Sequence, residues 1–140
     1  VEELSGTVAV YAYQNNKLSE IQRVSMNTND FTGENGAADI HLSGDQKFLY
    51  ATNRGSANEI VVFSVDKTSG KIKRIGSHST MGKHPRNFAI DPSDKFVLVA
   101  NQNTDNVIVF SRNVKTWLLT QTGESLAIGA PVCLKSTPAK

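Results

Sequence analysis

Cysteine and histidine are scarce in this 140-residue sequence, which has one cysteine, Cys133, and three histidines. A single thiol excludes an internal disulfide, and no histidines or cysteines are grouped at the ligand spacing of a metal site. We therefore expect neither a metal ion nor a cofactor. Because Cys133 stands in the apolar stretch Pro131-Val-Cys-Leu, we expect it to be a small buried hydrophobic side chain.

Long apolar runs and clustered charge of one sign are also missing. No stretch approaches the roughly 20 apolar residues that a membrane-spanning helix needs. Fifteen Lys and Arg offset thirteen Asp and Glu, for a net charge of +2. The basic residues are scattered and do not form the stripe that is typical of nucleic-acid binders. The sequence predicts one soluble domain that binds neither membranes nor nucleic acid.

Sustained helical periodicity is absent, whereas an internal repeat is present. Residues 40–63 read IHLSGDQKFLYATNRGSANEIVVF, and residues 88–110 read FAIDPSDKFVLVANQNTDNVIVF. The two copies are offset by 48 residues, which aligns Asn53 with Asn101. Such a repeat predicts tandem units of the same supersecondary structure.

Each copy contains four short apolar runs separated by turn sequences. In the first complete copy the predicted strands are residues 38–43, 47–53, 59–65 and 71–78. The third run is almost continuously apolar, as expected of a strand that is covered on both faces. Four antiparallel strands per unit of about 50 residues predict an all-β protein made of β-propeller blades. A β-sandwich is the alternative, but it does not explain the repeat.

The chain holds material for about three blades of a single partial propeller domain. We expect residues 1–34 to form the outer strands of one blade. Residues 35–83 and 84–129 would each form a full blade, and residues 130–140 the inner strand of a closing blade. Closed rings need 4–8 blades. We therefore expect a fragment whose partners are the missing amino-terminal blades, and which self-associates through its uncapped faces when isolated.

Two stretches resemble a signature of the seven-bladed lactonase family. They are residues 35–55, NGAADIHLSGDQKFLYATNRG, and residues 82–102, GKHPRNFAIDPSDKFVLVANQ. This family includes propeller-type 6-phosphogluconolactonases and 3-carboxymuconate cyclases. The resemblance covers essentially the whole chain, as the carboxy-terminal portion of a seven-bladed ring, and it implies a small anionic lactone as substrate.

The resemblance implies a parent enzyme that hydrolyses 6-phosphogluconolactone to 6-phosphogluconate in pentose-phosphate metabolism, in the cytoplasm. The alternatives are a 3-carboxymuconate cyclase-type lactonising enzyme and a non-catalytic propeller that serves as a binding platform. Acids or bases proposed for relatives lie partly in earlier blades. The fragment alone is therefore expected to be inactive.

Two arginines are the main candidate site residues. Blade topology places the start of an inner strand and the end of a second strand on the same rim, so Arg86 and Arg54 are expected near one another. One guanidinium could hold the anionic tail of the substrate, and the other could stabilise the oxyanion. The repeat replaces Arg54 with Gln102 and Arg86 with Ala38. Residues that only hold the fold together should recur from blade to blade.

Three further residues complete the candidate site. His84 could act as a general base, although a loop histidine that caps backbone carbonyls is the favoured alternative. Asp39, at the top of its inner strand, could pair with an arginine. We therefore assign catalytic roles to Arg86, Arg54 and His84, and substrate binding to Arg54, Arg86, Asp39 and Gln102. The other histidines and the repeated Asn53 and Asn101 are expected to be structural.

Overall fold

Three antiparallel sheets make up the chain, which a computed structural model describes over residues 1–137. The strands are β1 (Thr7–Gln14), β2 (Lys17–Ser25), β3 (Ala37–Leu42), β4 (Phe48–Asn53), β5 (Glu59–Val65), β6 (Ile72–Ser79), β7 (Pro85–Ile90), β8 (Phe96–Asn101), β9 (Asn106–Arg112) and β10 (Leu119–Ala127). A single 3-10 turn, Gln102–Thr104, separates β8 from β9. No helix among the described residues is long and apolar enough to cross a bilayer.

Each sheet is a meander in which consecutive strands are neighbours. β1 pairs with β2, while β3 to β6 and β7 to β10 form two four-stranded sheets in chain order. Four antiparallel strands in sequence order form a propeller blade, so the predicted all-β fold class is confirmed. The four strands predicted for the first complete repeat differ from the observed strands by no more than one residue at either end.

The middle sheet is buried on both faces because its side chains alternate between two apolar cores. Leu49, Ala51, Val61 and Phe63 pack towards the first sheet. Phe48, Tyr50, Ile60 and Val62 pack towards the third sheet. All six residues of β4 are buried. This two-sided burial explains why residues 48–51 of β4 and 60–63 of β5 are continuously apolar in sequence.

Buried Arg112, at the end of β9, ties the third sheet to the second. Its Nε donates to the Tyr50 hydroxyl at 2.9 Å, and its Nη1 lies 2.7 Å from Asp94 Oδ2. The other carboxylate oxygen of Asp94 accepts from the Gly44 amide at 3.0 Å. Gly44 and Asp94 belong to the turns between the first two strands of their blades. These turns lie on the rim opposite Arg54, and they have a structural role.

The segment after β10 pairs with no strand in the described part of the chain. The inner strand of a closing blade expected at residues 130–140 stays a prediction: residues 130–137 lie in no strand of the described chain, and residues 138–140 lie outside the described range. The segment lies beside β7, where the Leu134 amide donates to Asn87 Oδ1 at 2.6 Å. The expected burial of Cys133 is wrong: its side chain is exposed, because no paired strand covers it.

An apolar groove opens between the first two sheets. It has a volume of about 470 Å³, and its lining includes Val10, Ile21, Ile40, Leu49 and Ile72. Large apolar side chains of the first sheet are also exposed outside the groove, among them Tyr13 and Leu18. Exposed apolar surface of this kind favours association.

We predict that removal of Arg112 destabilises the fold. In Arg112→Ala, Asp94 and the Tyr50 hydroxyl lose their partner, which should lower the free energy of unfolding by roughly 3 kcal/mol or more. Denaturant unfolding measures this loss. The control is Arg23→Ala, which breaks exposed ion pairs with Glu2 and Glu20 and should change stability little. Equal effects of the two substitutions would contradict the role assigned to the buried arginine.

We predict that isolated residues 1–140 self-associate. The groove and the exposed side chains beside it lose water-accessible area when they are covered, which favours a second copy. Sedimentation velocity should show species above 15.2 kDa whose proportion rises with concentration. A monodisperse monomer across the accessible concentrations would contradict this expectation.

Candidate functional site

Arg54 and Arg86 line one cleft at the rim where β4 ends and β7 begins. The cleft has a volume of about 300 Å³, and its other lining residues are Val1, Glu3, Ala37, Ala38 and Val132. Arg54 follows the last residue of β4, and Arg86 is the second residue of β7. Two neighbouring blades therefore each contribute one guanidinium to the same space, as the topology predicts.

The guanidinium of Arg54 is held between an acid and an imidazole. Its Nη2 donates to Glu3 Oε1, and its Nη1 lies 3.4 Å from His84 Nε2. The Arg54 side chain is only 13% exposed, whereas that of Glu3 is 59% exposed. Arg54 is consequently oriented before any ligand arrives. Within residues 1–137, by contrast, the structure gives the exposed Arg86 guanidinium no hydrogen-bond or ion-pair partner.

A second hollow of about 360 Å³ lies on the other side of Arg54. It is lined by Glu3, Glu34, Asn35, Gly36, Arg54, Gly55 and His84. Arg54 and Glu3 line both hollows and so form the wall between them. A ligand with a reactive carbonyl and a separate anionic group could occupy the two spaces together.

The surroundings of His84 favour the neutral form of its imidazole. Partial burial, followed by the positive charges of Arg54 and Arg86, lowers the pKa of His84 below its usual 6.5, and the opposing charge of Glu3 is the smaller effect. The hydrogen bond that the structure gives its ring goes to Arg54, not to a backbone carbonyl. The backbone of His84 has a φ of +60°, and its amide donates to Asn58 Oδ1 at 2.7 Å.

Asp39 does not line the cleft, because its carboxylate bridges β3 and β7. Asp39 Oδ2 accepts from the Asn87 side chain, from the Phe88 amide at 3.0 Å and from His41 Nε2 at 3.0 Å. Burial works against ionisation, but the hydrogen bonds from His41 and Phe88 lower the pKa of Asp39. Its carboxylate is therefore already engaged within the protein.

Gln102 also lies outside the lining of both hollows. It begins the 3-10 turn, and its backbone amide donates to the His84 carbonyl at 3.0 Å. Gln102 therefore supports the loop that carries His84. The structure brings Arg54, Arg86 and His84 together, and it does not bring Asp39 or Gln102 to them.

The two histidines expected to be structural have structural partners. His41 packs edge-on against Phe88 with ring centroids 4.7 Å apart. His78 Nε2 accepts from the Leu119 amide at 3.3 Å, and burial lowers the pKa of His78. Among the described residues, no group of three or more histidines, cysteines and acids could hold a metal ion.

Sequence reasoning missed Glu3. Glu3 precedes β1 as Arg54 precedes β5, so the two residues hold similar positions before a strand. Aligning β1 with β5 could have placed Glu3 on the rim. The segment that precedes the first complete repeat contains only two strands, and its sequence matches the repeat weakly. The correspondence between Glu3 and Arg54 was therefore not recognised.

Comparison with known proteins identifies the family. Residues 1–136 match the family described as lactonase, 7-bladed beta-propeller. The chain belongs to this family. It is 42% identical over 139 residues to a 6-phosphogluconolactonase of Formosa agariphila, covering 96% of this chain and 38% of the relative. A 6-phosphogluconolactonase of Bacillus subtilis is 36% identical over 135 residues, covering 95% and 38%.

A solved lactonase structure has the same fold. The periplasmic gluconolactonase of Pseudomonas aeruginosa superposes with a TM-score of 0.91 at 40% sequence identity. The match covers 95% of this chain and 37% of that protein. The chain thus spans a little over a third of the length of its relatives, and the family resemblance seen in residues 35–55 and 82–102 is confirmed.

We predict that the imidazole of His84 titrates below pH 6.5 and that Arg54 contributes to the shift. In Arg54→Ala one repelling charge is gone, so the midpoint of His84 should rise towards 6.5. NMR titration of the ring protons measures it. The control is Lys73→Ala, which removes an exposed charge of β6 and should leave the midpoint unchanged. An unchanged midpoint in Arg54→Ala would contradict the electrostatic coupling.

Proposed function

We propose that this chain supplies part of the active site of a lactonase that hydrolyses 6-phosphogluconolactone to 6-phosphogluconate. The supporting observation is the convergence of Arg54 and Arg86, from neighbouring blades, on one cleft. Guanidinium groups suit the carboxylate or phosphate of an anionic substrate. Two relatives that bear the name 6-phosphogluconolactonase support this choice of substrate.

The two arginines have different roles in this proposal. Arg86 is exposed and has no partner among residues 1–137, so its charge is available for the anionic tail of an incoming substrate. Arg54 is nearly buried and is held by Glu3 and His84. A fixed donor of this kind suits the oxyanion, because it needs no reorganisation when charge develops on the carbonyl oxygen.

Hydrolysis then needs a base for the attacking water. Water adds to the lactone carbonyl and gives a proton to the base. The tetrahedral oxyanion collapses, the ring C–O bond breaks, and the leaving oxygen takes a proton to become a hydroxyl. Two groups of this chain could accept the proton: Glu3, which lines both hollows, and His84, which lines the second hollow. Residues from the missing blades would complete the site.

The pathway and compartment belong to the same proposal. We place the enzyme in pentose-phosphate metabolism and in the cytoplasm, where its substrate would arise by oxidation of a sugar phosphate. The Pseudomonas aeruginosa relative is described as periplasmic, so family membership alone does not decide the compartment. Cell fractionation with an antibody to this chain decides it: recovery with periplasmic markers would contradict the cytoplasmic assignment.

We predict that Arg86→Ala in the full-length protein lowers kcat/KM for 6-phosphogluconolactone by about a hundredfold. Loss of one well-placed ionic donor has effects of this order. Because the side chain is exposed, the thermal midpoint should not change. The control is Lys83→Ala, which removes a nearby cation that precedes β7 and does not line the cleft; its kcat/KM should stay within about threefold of the wild type.

The same assay separates the alternatives. Turnover of a 3-carboxymuconate substrate without turnover of 6-phosphogluconolactone would support a cyclase-type enzyme. No turnover of either substrate would support a non-catalytic binding platform. An unchanged kcat/KM in Arg86→Ala would remove this residue from the mechanism.

A further inference from the structure

A buried asparagine uses its whole side chain beside Arg54. Asn53, the last residue of β4, is fully buried. Its Oδ1 accepts from the Gly36 amide at 2.9 Å and from the Gly55 amide at 3.3 Å. Its Nδ2 donates to Asn27 Oδ1 at 3.2 Å and to Asn35 Oδ1 at 3.3 Å. An asparagine amide offers two donors and two acceptor sites, so every one is used.

These bonds join three segments around Arg54. Asn27 follows β2, Asn35 and Gly36 precede β3, and Gly55 follows β4. The Asn27 side chain also donates to Asn35 Oδ1 at 2.8 Å, and the Arg54 amide donates to the Gly36 carbonyl at 2.9 Å. The backbone of Arg54 is consequently held from both sides.

The backbone segments lie too close together for larger residues. A Cβ added to Gly55 would lie 2.0 Å from the Glu34 carbonyl oxygen, and one added to Gly36 would lie 2.9 Å from the Gly55 amide nitrogen. The loop that carries Arg54 therefore packs directly on the backbone of the preceding loop, and the Asn53 side chain crosses between them.

The repeat supplies an internal comparison. Asn101 occupies the position of Asn53 in the next blade and is also fully buried. Its Nδ2 donates to the Thr80 carbonyl at 2.9 Å, but its Oδ1 has no hydrogen-bond partner among residues 1–137. The residue after it, Gln102, does not reach the cleft. Of the two complete blades described, the asparagine at this position therefore supports a guanidinium in the first and not in the second.

We propose that Asn53 is a positioning residue, which holds the Arg54 backbone so that the guanidinium faces the cleft. This inference rests on the proposed function, in which Arg54 stabilises the oxyanion. It goes further by naming the buried contact that orients this group. Asn53 itself touches no substrate.

The test uses the full-length protein and its product, 6-phosphogluconate, as the binding probe. In Asn53→Ala, two backbone amides lose their acceptor. We expect roughly tenfold weaker binding and a lower kcat/KM, the effect of about one good hydrogen bond. Asn101→Ala is the matched control: it removes a buried asparagine that makes one side-chain hydrogen bond, so it should lower the thermal midpoint by less than Asn53→Ala does, with binding unchanged.

Two measurements separate positioning from simple destabilisation. In an Arg54→Ala background, Asn53→Ala should have no further effect on binding, because the group that it orients is absent. In addition, ¹⁵N relaxation of Arg54 Nε should report greater mobility in Asn53→Ala than in the wild type or in Asn101→Ala.

The outcomes distinguish the two proposals. A wild-type protein that neither binds 6-phosphogluconate nor hydrolyses the lactone would overturn the proposed function, and the relaxation measurement would still decide whether Asn53 orders Arg54. Unchanged Arg54 mobility in Asn53→Ala would overturn the positioning role. So would equal losses of binding from Asn53→Ala and Asn101→Ala.

Discussion

Burial of each sheet between two neighbours is the constraint on which the rest of the structure depends. A strand side chain points to alternate faces, so β4 and β5 supply two cores at once, one through Leu49 and Phe63 and the other through Tyr50 and Val62. A blade cannot bury both faces alone. The central parts of β4 and β5 are therefore continuously apolar, and the side chains of the candidate site lie at the ends of strands or in the loops at one rim.

The burial of the sheets explains why the candidate site lies at a rim. Three consecutive units each send one group to the same rim: Glu3 from the loop before β1, Arg54 from the loop after β4, and His84 from the loop before β7. The loops that carry Arg54 and His84 each run between two strands, and the Glu3 carbonyl accepts from the Ala37 amide at 3.1 Å, so the three side chains hold fixed relative positions. The two arginines at this rim differ in their ion pairing. Arg54 is paired with Glu3, whereas Arg86 has no ion-pair partner among residues 1–137.

The fold could be predicted because the internal repeat shows where each blade begins and how many strands it has. Turn sequences and apolar runs recur at one spacing, which gave the strand bounds and placed Arg54 and Arg86 on one rim. The hydrogen-bond partners of the Asp39 carboxylate could not be predicted from the repeat. Its carboxylate is bound by Asn87 and Phe88 of the next blade, and contacts between residues so distant in sequence leave no local pattern. The exposure of Cys133 likewise depends on pairing, since an apolar strand is buried only where another strand covers it.

Residues that differ between the two repeat copies and residues that recur in both give different information about function. Arg54 and Arg86 stand out because their counterparts differ. Asn53 does not stand out, since Asn101 matches it, and sequence comparison alone makes both structural. Their hydrogen bonds differ because the neighbouring loops differ: Gly36 offers its amide to Asn53, whereas the amide of its counterpart His84 goes to Asn58. A recurring buried residue can therefore serve the fold in every blade and orient a reactive group in one.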